Sequence, residues 1–179
     1  GAFVQRREGG LFDHVQLDLG VMGQDAGGQA LQEFVHAALP GQINPTWAGQ
    51  VPNHLAVQGH YQRRWKLKWQ RNADGELSRL SGTELDDAPM SPAAGFELIP
   101  YAGGRAGTIF VDGSFGAIAR YGWPLPDDFG PARVYEFTDH TQRAAEGFGF
   151  SVFARAGARV VAHNALLRGS VFGDPRLDE

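Results

Sequence analysis

From His54 to Gln70 the chain reads His54-Leu55-Ala56-Val57-Gln58-Gly59-His60-Tyr61-Gln62-Arg63-Arg64-Trp65-Lys66-Leu67-Lys68-Trp69-Gln70. Leu55, Val57, Tyr61, Trp65, Leu67 and Trp69 fall on one side of an extended chain. His54, Gln58, His60, Gln62, Arg64, Lys66 and Lys68 fall on the other, and only Arg63 interrupts the apolar side. Alternation with period two predicts a strand with one apolar and one polar face. At ~3.3 Å per residue such a strand spans about 56 Å. Strands of soluble sandwiches are mostly ~5–6 residues long and bury their apolar face on a second sheet. Long tilted strands, apolar outside and polar inside, are the pattern of a membrane barrel. Trp65 and Trp69 near one strand end suit an interfacial aromatic girdle.

The same alternation recurs outward from this segment. In 13–21, Val15, Leu17, Leu19 and Val21 oppose His14, Gln16 and Asp18. In 107–121, Ile109, Val111, Phe115 and Tyr121 oppose Thr108, Asp112, Ser114 and Arg120. In 147–162, Phe148, Phe150, Val152 and Val160 oppose Ser151, Arg155 and Arg159. Residues 93–103 form a less regular strand containing Pro100, and residues 1–7 resemble the tail of another. The expected fold is all-β: an antiparallel, up-and-down transmembrane barrel with one short helix and open edges. Val15, Leu17, Leu55, Val57, Ile109 and Val111 are expected to face outward. Gln58, His60, Gln62, Arg64, Asp112, Ser114, Arg120, Arg155 and Arg159 are expected to line the concave side, since an arginine facing lipid at mid-depth costs ~2–4 kcal/mol.

Composition narrows the function classes. The 179 residues, 42% hydrophobic and 20% charged, suit a single domain over 1–179. No apolar run approaches the ~18 residues of a transmembrane helix. A net charge of −4 argues against a general nucleic-acid binder. Zero cysteines exclude thiol catalysis, disulfides and zinc–thiolate sites.

One segment departs from the strand pattern. In residues 26–39, Leu31, Phe34, Val35, Ala38 and Leu39 recur at helical spacing, with Asp25 as N-cap and Pro40-Gly41 as a stop. Gln32 and His36 are one turn apart on the same face. Gln32 could orient one ring nitrogen of His36 and leave the other to take a proton from water, the work of a general base. A surface or packing histidine is the plainer alternative.

Other polar groups carry less. No nucleophile-elbow sequence surrounds Ser114, so Asp112 and Ser114 fit a polar lining better than a triad. Asp139-His140 reads as a solvated loop and His163-Asn164 as a turn. Asp86-Asp87 and Asp127-Asp128 could hold calcium, though solvated turns are commoner. Arg64, Lys66 and Lys68 share one face and suit anionic lipid headgroups or an anionic substrate.

Taken together, several motifs resemble the outer-membrane lipid A 3′-O-deacylase family. They are Gly20-Val21-Met22-Gly23, Gly28, Gln32-x-x-x-His36, Trp47-x-x-Gln50 and Tyr61-x-Arg63-Arg64-Trp65, then the run from Arg120 to Pro131 and the segment Val161 to Gly169. The resemblance implies a twelve-stranded barrel in the bacterial outer membrane, of which this chain would be the central part, without the early and late strands. It implies a calcium-dependent esterase that removes the 3′-linked acyloxyacyl group of lipid A (lipopolysaccharide), with His36 as general base and no obligate protein partner. The helix would then hold His36 at the barrel wall. An acidic residue is expected near position 42, where Gln42 stands, and no metal ligands are assigned. A non-catalytic, porin-like barrel and a soluble β-rich binding domain are the competing expectations.

Overall fold

The computed structural model describes residues 1–38, 52–71, 74–80, 85, 94–125, 127–130 and 148–168. Among these residues eight strands form one antiparallel sheet: β1 (Ala2–Glu8), β2 (Leu11–Met22), β3 (His54–Trp65), β4 (Leu67–Arg71), β5 (Leu77–Leu80), β6 (Gly95–Gly107), β7 (Phe110–Trp123) and β8 (Phe150–Asn164). A 3-10 turn (Gln24–Ala26) and helix α1 (Gly28–Ala38) follow β2, and a single helical turn, α2 (Ala165–Arg168), follows β8. β1, β2 and β3 pair in chain order, β3 and β4 both pair with β6, and β6, β7 and β8 continue the meander.

The long strand expected over 54–70 is interrupted at Lys66, yet its register is not. Arg64 lies opposite Tyr101 before the gap and Leu67 opposite Leu98 after it, so β3 and β4 run along β6 as one ribbon. Pro100 falls in that gap, and a proline has no N–H for the ladder. The Lys66 amide instead donates to Gly10 O at 2.7 Å.

β5, four residues long, is too short for alternation to announce it. Two further expectations need correction. Ile109 lies in the β6–β7 turn rather than in the wall; its carbonyl accepts the Ala165 amide at 2.9 Å. Asp25 sits inside the 3-10 turn, so it does not cap α1. Gly27, at φ 75°, precedes the helix, and its carbonyl accepts the Leu31 amide at 3.0 Å. The Pro40-Gly41 stop lies outside the described residues.

The two faces of the sheet have opposite chemistry. Val15, Leu17, Leu19, Leu55, Val111, Phe115 and Val160 are exposed, while Gln58, Gln62, Arg64, Asp112 and Arg120 are buried. A protein dissolved in water places these classes the other way round. Hydrocarbon outside and polar groups inside is the arrangement that lipid demands. The soluble binding domain is therefore set aside. Among the described residues β1 pairs only with β2 and β8 only with β7, so the sheet is open, as expected.

Register confirms the inner lining. Arg155 is opposite Ile118 and Arg159 opposite Ser114. Arg155 Nε donates to the Tyr101 hydroxyl at 3.0 Å, with the guanidinium 4.5 Å from the ring centroid. Gly116 and Gly157 make room for that ring, since a Cβ at either would collide with the Tyr101 hydroxyl. The inner side also holds a small apolar core of Phe12, Ile99, Tyr101, Ile118 and Phe129.

The outer face carries an aromatic cluster at one end. Trp69, Phe96 and Tyr121 are in register across β4, β6 and β7, with Trp123 opposite Phe150 beside them. The Trp69 and Phe96 rings lie 5.6 Å apart. This is the position of an interfacial girdle. Arg63, the odd cation of the apolar side, lies six residues before Trp69 along the same ribbon. Asp13 lies directly opposite and accepts from Arg63 Nε and Nη2 at 2.7 and 2.8 Å, and from the Tyr61 hydroxyl at 2.8 Å.

Candidate functional site

α1 grows from the end of the sheet opposite the girdle. The 3-10 turn joins it to the end of β2, and the Asp25 amide donates to Asn53 Oδ1 at 2.9 Å, which ties that turn to the start of β3. The helix forms because its residues are good helix formers without proline, and a Gln29–Glu33 hydrogen bond of 2.8 Å spans one turn. It has no buried residue. Gln32 and His36 are its half-buried positions, so their shared face is the one turned toward the rest of the protein. No hydrogen bond joins Gln32 to His36 among the described residues. The imidazole is thus partly accessible, on a helix that leaves the sheet at the end away from the girdle.

The other expected site residues lie elsewhere. Arg64, Lys66 and Lys68 are on the inner face and buried. Arg64 is ten residues along β3 from His54, roughly 33 Å by strand rise, so the structure does not bring these cations to His36. Their charges meet groups of the protein itself. Arg64 donates from Nε to Gln62 Oε1 at 2.7 Å and from Nη1 to Phe129 O at 2.8 Å. Lys66 Nζ lies 3.3 Å from Asp127 Oδ1 and 4.4 Å from the Phe129 ring centroid. Lys68 is directly across from Glu97, and Glu97 from Arg120.

These contacts build a plug that the sequence did not announce. Residues 127–130, which follow β7, fold onto the inner face at the girdle end. Phe129 is 0% exposed and stacks on Phe12 with centroids 5.3 Å apart. Asp127 accepts from Arg7 Nη2 at 2.5 Å, and Asp128 accepts from Arg120 Nη1 at 2.6 Å and from the Gly130 amide at 2.8 Å. Gly130 has φ 108°, and a Cβ there would lie 2.8 Å from Ile118 Cδ1. Asp127-Asp128 is therefore neither a solvated turn nor, as it stands, an open cation site. Its complement of inner-face cations was visible in the sequence; the contact was not.

Burial alone would raise the Asp127 carboxyl, but the Lys66 charge and the Arg7 hydrogen bond outweigh it and hold the group below its ordinary value of 3.8. A depressed carboxyl stabilises the fold above its unfolded value and loses that contribution as pH falls through its folded value. The urea midpoint of the folded protein in micelles should therefore fall as pH drops below 3.8. Asp127→Asn should be less stable at neutral pH and show a shallower acid dependence. An equally steep acid dependence in the variant would remove Asp127 from the effect.

Toward the α1 end the inner face is a polar tract. Gln5 Nε2 donates to His14 Nδ1, His14 Nε2 to Gln16 Oε1, and Gln16 to both Asp18 oxygens, with His60 Nε2 2.8 Å from Asp18 Oδ2. Arg105 pairs with Asp112, so Asp112 serves the lining. Asn164 Oδ1 accepts the Leu166 amide at 3.0 Å, which gives His163-Asn164 the expected turn role at the head of α2. Among the described residues no three His, Asp or Glu side chains converge as a metal site. Gln42, Asp86-Asp87, Asp139-His140 and the Trp47-x-x-Gln50 pair lie outside those residues.

Comparison with known proteins returns one family. The model described as outer membrane protein LpxR matches residues 1–178. No curated protein and no solved structure matches the chain.

Proposed function

Because the chain belongs to the LpxR family of outer-membrane proteins, we propose that it acts as a lipid A deacylase, hydrolysing the ester of the 3′-linked acyloxyacyl group. The observation that carries this reading is His36: a half-buried imidazole on the helix that follows β2, a strand of the lipid-facing wall. In the proposed reaction His36 takes a proton from water, and the oxygen of that water adds to the ester carbonyl. The C–O bond to the sugar then breaks, and the proton passes from His36 to the departing 3′-oxygen. A fatty acid and a free 3′-hydroxyl result. Gln32, on the same face, can orient the imidazole when substrate closes the gap between them.

Calcium enters as part of the proposal through the resemblance alone. The described residues supply no acidic cluster for it, so no step is assigned to it; when bound, it would stabilise the developing oxyanion. Chelation of divalent cations should abolish release of the 3′-linked chain, and added calcium should restore it. Full activity in chelator would sink the calcium part and leave His36 untouched.

Arg64, Lys66 and Lys68 are not included in the substrate site: internal partners engage Arg64 and Lys66, and Lys68 is buried on the inner face opposite Glu97. A porin-like barrel without catalysis is the weaker reading, since residues 127–130 and their partners fill the inner side at one end. The deciding experiment is mass spectrometry of lipid A from cells expressing the protein or its His36 variants.

A further inference from the structure

α1 is amphipathic the wrong way round for a helix resting on a protein in water. Such a helix turns its apolar stripe to the body and its polar side to solvent. Here the half-buried positions are Gln32 and His36, while Leu31, Phe34 and Val35 are 66%, 74% and 41% exposed. Phe34 points away from the side that carries Gln32 and His36, as the helical spacing of these positions requires. Both side chains would gain by leaving water, a gain that the fold leaves unclaimed on the protein side.

The neighbouring surface identifies what takes it. Leu19 and Val21 at the end of β2, and Leu55 at the start of β3, are exposed on the lipid-facing wall at the same end of the sheet. The exposed apolar stripe of α1 thus follows directly in the chain on the end of that exposed apolar wall. Gln29 and Glu33, bonded to each other, leave the helix on the side away from Leu31 and Phe34.

We infer that α1 is an interfacial helix, lying in the membrane surface with Leu31, Phe34 and Val35 among lipid acyl chains and Gln29 and Glu33 toward water. A helix so placed sits ~5–10 Å into the boundary between headgroups and acyl chains, which is the depth of an acyl ester. The inference rests on the outer-membrane location and not on hydrolysis; if the proposed function holds, it explains how His36 reaches its ester without lifting the substrate from the bilayer.

The absence of cysteine makes the test direct. Phe34→Cys, Glu33→Cys and Leu55→Cys each carry a nitroxide label, with the protein in phosphatidylethanolamine–phosphatidylglycerol vesicles. Collision with oxygen, which concentrates in lipid, is compared with collision with a water-soluble nickel chelate. The label at Phe34 should match the wall position Leu55, rich in oxygen contact and shielded from nickel, while Glu33 should show the reverse. A Phe34 label as open to nickel as Glu33 would place the helix in water; one closed to both reagents would mean that protein covers the stripe. Either result overturns the inference. Lipid A deacylation by the unlabelled protein is measured alongside, so loss of activity and failure of the helix to enter lipid are separate outcomes.

Discussion

His36→Ala and His36→Gln should both abolish detectable removal of the 3′-linked chain from lipid A. Losing a positioned general base costs ~10²–10⁴-fold in rate. Glutamine keeps the size and polarity of the site yet cannot take a proton, so equal loss in both variants separates base catalysis from packing. The fold should be indifferent to either change. α1 has no buried residue, and its apolar stripe does not involve position 36. Folded barrel at wild-type levels, with all 3′-linked chains retained, is the expected result. Gln32→Ala should do far less, on the order of the ~0.5–1.5 kcal/mol of one neutral hydrogen bond, because the two side chains are not bonded to each other in the absence of substrate. Normal deacylation by both His36 variants at matched expression would remove His36 from the mechanism.

The wall of the molecule was legible before the structure because a strand in lipid writes its orientation into every second residue. Val15, Leu17 and Leu55 point out and Gln58, Arg64 and Arg120 point in, as alternation alone requires. Even the exception at Arg63 resolves locally, through Asp13 in the adjacent strand. The helix was legible for the same reason at a different period. Alternation could not show the break at Lys66, which is set by Pro100 across the ladder, or the plug, which is a contact between distant parts of the chain. Arg64, Lys66 and Lys68 looked available for a ligand because a sequence shows the cations of one strand without the carboxylates that another segment brings to them. His36 stands apart: its spacing to Gln32 was visible, but its weight came from family resemblance, and the structure adds that it is half-buried on a helix following β2.

Arg120→Leu should be the most destabilising single change on the inner face. Arg120 donates to Glu97 from Nε and Nη2 at 3.2 and 2.5 Å and to Asp128 from Nη1 at 2.6 Å. Glu97 is 0% exposed, and its Oε1 has no hydrogen-bond partner among the described residues. Its carboxylate therefore depends heavily on the one oxygen that Arg120 engages and on Lys68 across the other ladder. Taking away one partner of a buried ion pair costs ~3–5 kcal/mol, mostly because the charge left behind keeps its desolvation penalty. Here two carboxylates are left, and Asp128 also loses its hold on the plug. Urea unfolding of the protein in micelles should show that loss in full, together with faster proteolysis near residues 127–130. Adding Glu97→Leu to Arg120→Leu should recover part of the stability, since the stranded charge goes with it and leucine fills apolar space beside Ile99 and Ile118. If the double variant is less stable than the single one by the full cost of losing Glu97 alone, the two side chains act independently, and the ion pair is not what holds this end of the interior together.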